Sequence, residues 1–539
     1  MNGESSETAA NRGRARDETL RMLATPSLPI FPIAGPRRRA GGIARLAAAL
    51  FLVSTVSACT SIGNSLQEAA DSESAKLQSG YMPGPARDPV TFEGVQKGDP
   101  QSPIGQSQHP KILAAYGGAY NDPKLEQTLA TIVGRLAAVT DDATRAYRIT
   151  VLNSPNVNAF ALPGGYLYVT RGLLALANDS AEVAAVIAHE MGHVTANHGI
   201  ERQRREQAVE LAGRVVNEVL ASDADGRAAL ARNRLSLASF SRNQELQADA
   251  LGIRQIGRAG YDAFAAARFL KAMDAYSHFR NAFQAENPNL DFLASHPGTP
   301  QRMELAENHA RQFGAPGTGL TDRDRYLAGI DGMLFGDSAV EGYVRGHDFY
   351  HPGLGITFRV PEGFVIDNTA EAVLATGPDD TAIRFDGVAL PETTPLKDYI
   401  MSGWIGGLDP SSIRPERIGN LEAVSARATG GEYVFDVTVI RIGGQVYRFL
   451  TAMPSASGEA IQRTAEGVAN SFRMLTPEEK NSLKPLRIRI VAAKPGDSVS
   501  SLARKIVGVD RKDEMFRLLN EIEPNGEVQA GTRYKIIAE

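Results

Sequence analysis

Four residues within one short stretch have types and spacing that could do chemistry. In AVIAHEMGHVTANHG, residues 185–199, His189 and His193 stand four apart, Glu190 follows the first, and His198 lies five beyond the second. Residues i and i+4 share one face of a helix, so both imidazoles can point at a single ion. Glu190 is then placed to reach a ligand on the open side of that ion, the His-Glu-x-x-His arrangement of zinc hydrolases. Such a zinc needs a third protein ligand and a fourth position left for water. The bound water ionises near neutral pH, and Glu190 can take its proton and pass it to a leaving amine. In a chain of this length the pattern arises by chance in about one case in a hundred, so it is informative without being decisive. A core helix is the alternative, but it would bury three titratable groups with no named partners.

The third ligand has to come from another element. NQELQADA, residues 243–250, offers Glu245 and Asp249, again four apart. Glu245 is the better ligand. His198 competes less well, because it lies past the face of the histidine pair and near the helix end. Apolar residues at helical spacing surround the first motif. Asp179 with Glu182 three residues on forms a capping box, and Gly199 is the expected stop. A second helix is expected from about Leu235 to Ala259, and a third from Ala263 to His278.

HEMGHVTANH followed some fifty residues later by SRNQELQADALG resembles the CaaX-protease/HtpX-like zinc metallopeptidases, which are gluzincins. NSPNVNAFALPGGYLYVTRGLL upstream and SHPGTPQR downstream resemble that family too, especially its soluble periplasmic branch. The four motifs occur in order across about Gly105 to Gln312. The resemblance implies one zinc per chain on His189, His193 and Glu245, with Glu190 as general base. It places Asp249 as a group that orients a zinc histidine or donates a proton. It makes Tyr166–Thr170 the edge strand that pairs with an extended substrate, and residues 158–165 the cleft wall. His296, with Pro297 and Arg302, matches the downstream motif. A loop with a surface arginine is one reading, and a histidine facing the open metal position, as a gate or as a catalytic group, is the other. His109, His278, His309, His347 and His351 are read as structural.

The N-terminus speaks for export. Arg37, Arg38 and Arg39 precede an apolar run from Leu46, and small residues lead to Cys59, the chain's single cysteine. VSAC resembles a bacterial lipobox, which implies lipid on Cys59 and, with Thr60 next, the periplasmic face of the outer membrane. One cysteine allows no intrachain disulfide. A net charge of −5 excludes a basic nucleic-acid footprint.

The expected fold is α+β, in five parts. Residues 1–58 are an N-terminal extension and lipoprotein signal, and 59–108 a polar tether. Residues 109–325 are a mainly helical peptidase domain with a small edge-strand sheet. Residues 340–476 are a β-rich α+β module whose Gly443-Gly444 pair marks a hairpin. Residues 485–539 read strand-helix-helix-strand and resemble a LysM-type βααβ module, which implies binding of N-acetylglucosamine polymers such as peptidoglycan. A structural cap is the other reading of that last module.

Together these features predict a lipid-anchored zinc endopeptidase that degrades misfolded or misassembled envelope proteins. The alternative is an envelope scaffold or chaperone with a vestigial metal site, bound to peptidoglycan. Retention of Glu190 argues for the enzyme, since a scaffold has no use for it. A zinc amidase acting on the cell wall fits the location but not the Glu-x-x-x-Asp helix.

Overall fold

The computed structural model describes residues 90–92, 102–141, 145–202, 204, 241–281, 292, 296, 300–369, 372–457, 460–509 and 511–539. The lipobox with Cys59, the start of the helix expected from Leu235, and most of the charged run after Gly199 lie outside them. Among the described residues no helix is long and apolar enough to cross a membrane.

Two described elements fall inside the stretch read as a tether. Strand β1 (Val90–Phe92) pairs with β2, and helix α1 (Ser102–Ala115) starts before Gln108. Helix α2 (Pro123–Ala137) begins as the sequence predicts. Asp122 accepts from the amides of Lys124 and Leu125, and Pro123 sits where no amide is needed. Leu125, Leu129, Ile132, Val133 and Leu136 form its buried stripe. Each such side chain contributes about 1.5–3 kcal/mol when fully buried.

Strands β2 (Tyr147–Leu152), β3 (Ala159–Leu162) and β4 (Tyr166–Thr170) complete a sheet of order β1-β2-β4-β3. β4 runs parallel to β2 and antiparallel to β3. Hence Tyr166–Thr170 is not an edge strand, as the family resemblance implied. Both its hydrogen-bonding sides are taken and every residue is buried. On that side the edge is β3, whose last three residues are partly exposed; β1 is the other edge.

Helix α3 (Arg171–Leu176) leads directly into α4 (Ser180–Thr195), which carries the histidine pair and is buried through Val194. Asp179 caps the amide of Glu182, while Glu182 reaches back one residue further than a capping box would, to the amide of Asn178. α4 ends at Thr195, before the predicted Gly199. Asn197, at φ 58, supplies the left-handed turn, and the chain is helical again from His198. Helices α5 (Arg242–Arg258), α6 (Ala265–Asn281), α7 (Pro300–Ala310) and α8 (Arg323–Ile330) follow.

The next module contributes β5 (Tyr343–Arg345), β6 (Asp348–His351), β7 (Ile356–Arg359), β8 (Val365–Asn368), β9 (Val373–Thr376), β10 (Ala382–Ala389), β11 (Leu408–Ile418), β12 (Leu421–Gly430), β13 (Tyr433–Ile442), β14 (Gln445–Pro454) and β15 (Arg473–Met474). They form a seven-stranded antiparallel sheet, order β11-β12-β13-β14-β10-β9-β8, and a four-stranded sheet of order β15-β7-β6-β5. The hairpin of β13 and β14 turns at Gly443, as predicted. Helix α9 (Leu396–Ile400) lies over one face of the larger sheet, and α10 (Ala460–Ser471) covers the other with Ile461, Ala465, Val468 and Ala469. After a short helix α11 (Pro477–Ser482) comes β16 (Arg487–Ala492), α12 (Val499–Ala503), α13 (Lys512–Leu519) and β17 (Arg533–Ala538), the expected βααβ order. Its Ile488, Leu502, Phe516 and Ile537 belong to the same apolar cluster as Leu129, Val183 and Ile187 of the histidine-bearing domain.

Candidate metal centre

Two glycines let α4 and α5 meet closely enough for one centre. A Cβ on Gly252 would stand 2.9 Å from the His189 amide nitrogen, and one on Gly192 3.1 Å from the Ala248 carbonyl. Across this contact the three predicted ligands converge. His189 Nε2 lies 3.0 Å from His193 Nε2, and Glu245 Oε1 lies 3.4 Å from His193 Nε2. His296 joins them, its Nδ1 3.2 Å from His189 Nε2 and 3.0 Å from Glu245 Oε1. One ligand atom from each of the four residues falls within a 4.8 Å group, and all four residues are buried. Four ligands held at about 2.0–2.1 Å from a tetrahedral zinc would be about 3.3 Å apart. Four of the separations, at 3.0–3.4 Å, lie close to that edge.

The donor set fits a cation on chemical grounds. Three imidazoles and a carboxylate turn their acceptor-capable atoms toward one another, away from water. Glu190 Oε1 is buried beside them with no hydrogen-bond partner among the described residues. It lies 3.5 Å from His296 Nε2, and its carboxylate accepts from the Ala161 amide of edge strand β3. Burial pushes the Glu190 carboxyl up, and the neighbouring imidazoles pull it partly back.

A second layer sets each imidazole. Asp249 Oδ1 accepts from His189 Nδ1 at 2.9 Å, which leaves Nε2 free to face the centre. Arg302 holds Asp249 with two bonds, Nε to Oδ2 at 2.7 Å and Nη2 to Oδ1 at 2.8 Å. Its Nη1 reaches Glu245 Oε2 at 2.8 Å and the His296 carbonyl at 3.2 Å. Far from a surface residue, Arg302 is 2% exposed. His198 Nδ1 lies 3.0 Å from His193 Nδ1, while its Nε2 donates to Gln247 Oε1 at 3.1 Å. That assignment makes His198 Nδ1 the acceptor for the His193 proton and turns His193 Nε2 inward. His198 thus stands behind His193, outside the group of four that could hold a metal ion.

The charges agree with this layout. Burial lowers the His193 pKa to about 2, so the ring is neutral. Burial would raise both carboxyls on α5, but the surrounding imidazoles hold Glu245 well below the usual range, and Arg302 with His189 brings Asp249 to about 2.

Sequence reasoning missed three contributors. Phe292 stacks on His296 with ring centroids 4.4 Å apart and donates its amide to the Val157 carbonyl at 3.0 Å. The Ala161 amide and the His198 contact depend on tertiary placement and leave no local signal. His109, read as merely structural, stacks on Tyr168 and bonds its hydroxyl at 2.8 Å, which seats α1 on the sheet.

A His-Glu-x-x-His helix completed by a glutamate from a second helix is the architecture of a zinc metallopeptidase domain. Residues 123–310 match the model described as Peptidase family M48. It is similar to the beta-barrel assembly-enhancing protease of Escherichia coli K12, 30% identical over 218 residues, which are 39% of this chain and 43% of that protein. The namesake from Yersinia pestis is 30% identical over 202 residues, 36% of this chain and 40% of that one. The mitochondrial metalloendopeptidase OMA1 of Schizosaccharomyces pombe is 28% identical over 209 residues, 38% of this chain and 59% of that one. The chain spans less than half the length of the bacterial relatives it matches.

Proposed function

We propose that this chain is a zinc-dependent endopeptidase of the bacterial envelope that hydrolyses peptide bonds in misfolded or misassembled proteins. The observation that carries the reading is the convergence of His189, His193 and Glu245 on one point, with the Glu190 carboxyl beside it. These three side chains hold one zinc ion per chain. Zinc bound there supplies Lewis acidity, which acidifies water and polarises a carbonyl.

The chain's own groups do the rest. Glu190 takes a proton on Oε1, the oxygen without a hydrogen-bond partner among the described residues, and returns it to the leaving amine. An extended substrate adds to the open edge of β3, next to the α4 helix, so its main chain is held by strand pairing. Asp249 keeps His189 in the tautomer that faces the metal, and Arg302 keeps Asp249 ionised. His296 is a gate. Its Nδ1 lies against His189 Nε2 and Glu245 Oε1, so its ring closes the cluster on the side where water and substrate would have to enter. Phe292 holds the gate shut by stacking on it and by bonding Val157.

The location belongs to the same proposal. Lipid on Cys59 anchors the chain to the periplasmic face of the outer membrane, and the C-terminal βααβ module adds a contact to peptidoglycan. Digestion of casein by the purified protein tests the enzyme. Glu190→Gln and chelation are each expected to slow it by about 10²-fold or more. Equal rates in all three samples overturn the reading. His296→Ala is expected to raise the rate; an unchanged or lower rate removes the gate.

A further inference from the structure

Strand β17 sends a charged side chain into the interior of the preceding domain. Lys535 is 0% exposed. Its ammonium donates to three consecutive carbonyls, those of Ala175 at 2.8 Å, Leu176 at 3.0 Å and Ala177 at 2.7 Å. These end helix α3, where carbonyls lack intrahelical amides and a cation complements the helix dipole. All three ammonium protons are thereby used.

The C-terminal module fixes this lysine from its own side. Asn520 Oδ1 accepts from the Lys535 amide at 2.7 Å, and Asn520 Nδ2 donates to the Lys535 carbonyl at 2.9 Å. Three further contacts reach the same junction. Arg323 donates to the Asn178 carbonyl at 2.8 Å and to the Arg533 carbonyl of β17 at 3.3 Å. Arg268 pairs with Asp179 at 3.1 Å and with Glu182 at 3.3 Å. Glu521, just past α13, hydrogen-bonds the buried Glu182 carboxyl. Only Asn178 and Asp179 separate the lysine-bound carbonyls from the first residue of α4, the helix that carries His189, Glu190 and His193.

We propose that Lys535 is a positioning residue of the metal centre, and that the C-terminal module is a built-in clamp on the start of α4. The inference rests on the reading of His189 and His193 as metal ligands, but its core is the junction itself. An appendage that served only to bind a wall polymer would meet the peptidase through exposed side chains. This one completes a helix end inside it and shares its apolar core. With the clamp in place α4 cannot slide along α5, and the two imidazoles stay in register with Glu245.

The test uses the purified full chain and two substitutions in the same module. Lys535→Met keeps the length and removes the charge. Lys494→Met changes an exposed lysine and is the control. Hydrogen exchange at residues 178–183 is read in metal-free protein, and the cobalt(II) absorption spectrum and zinc affinity in loaded protein. For Lys535→Met, exchange at 178–183 and zinc dissociation are each expected to rise about tenfold, the range for groups that support a metal ligand. The cobalt spectrum is expected to shift, and kcat to fall with KM held. Lys494→Met is expected to match wild type. Wild-type exchange and zinc affinity in Lys535→Met overturn the clamp. If Lys535→Met does not fold, Asn520→Ala replaces it: faster exchange at 178–183 supports the clamp and unchanged exchange overturns it. Absence of zinc binding by the wild type defeats the functional reading, while the exchange measurement still decides whether the clamp exists.

Discussion

The two histidines of α4 are aimed from behind by different means. His189 leans on a carboxylate that an arginine grips with two bonds; His193 leans on a neutral imidazole. The second support is the weaker, since it carries no charge to hold the His193 proton. His198→Ala leaves the His193 Nδ1 proton without that acceptor and frees the ring to turn. Zinc affinity is expected to fall by about 10- to 100-fold, the usual effect of losing such a partner. Competition with a chromophoric chelator measures it, and wild-type affinity in the variant rules the role out. His198 was legible as a candidate ligand but not as a support. Its spacing of five from His193 has no meaning on one continuous helix. Only the left-handed turn at Asn197 folds the chain back and brings the two rings edge to face.

Between elements, the decisive contact is α4 against α5. Glycine at 192 and at 252 removes the two side chains that would keep the helices apart. Gly252→Ala puts a methyl group 2.9–3.1 Å from the backbone of residues 188 and 189, which no side-chain rotation relieves. Overpacking of this kind costs about 1–3 kcal/mol. A lower Tm and weaker zinc binding are expected together, because the helices can part only by drawing Glu245 away from the histidine pair. A variant that melts lower but binds zinc as before separates packing from the site and refutes the link. The sequence made these helices readable because i and i+4 pairs, caps and apolar spacing are local properties. Glu245 and Asp249 stand out on α5 for the same reason. Strand order is not local. Tyr166–Thr170 has the strongest β pattern of its region, and that is a property of a strand buried on both sides. Its neighbour Ala159–Leu162, shorter and flanked by turns, is the edge strand on that side. Arg302 was quoted with its motif, and one of the two readings left it on the surface, since nothing local tells a buried arginine from a surface one.

Over the whole molecule, the β-rich module is joined to the metal-bearing domain by a buried polar seam. Arg171, 1% exposed, donates to the carbonyls of Leu334 at 2.9 Å and Gly336 at 3.0 Å and to Asn153 Oδ1 at 2.9 Å. Asn153 reaches Ser338 Oγ at 3.4 Å, and Ser338 donates to Glu341 Oε2 at 3.3 Å. The other oxygen of Glu341 closes over Gly117, where a Cβ would stand within bonding distance of it. Burial pushes the Glu341 carboxyl up from 4.5 to about 7, despite the pull of Arg171. The folded state therefore favours the protonated acid. Stability from this group is complete below about pH 4.5 and is lost as pH rises through 7. The shift corresponds to about 3 kcal/mol at 1.36 kcal/mol per pKa unit. Glu341→Gln keeps an acceptor for Ser338 and cannot ionise. Its stability relative to wild type is expected to climb by about that amount between pH 4.5 and pH 8. Denaturant unfolding followed through Trp404, the chain's single tryptophan, reports it from within the β-rich module. Lys535, lowered by burial to about 7, and Asp436, raised by burial to about 6, titrate in the same window. They are common to both proteins, so the difference between variant and wild type isolates Glu341. A difference that stays flat from pH 4.5 to pH 8 means that Glu341 is ionised in the folded seam, with Arg171 as its counter-charge.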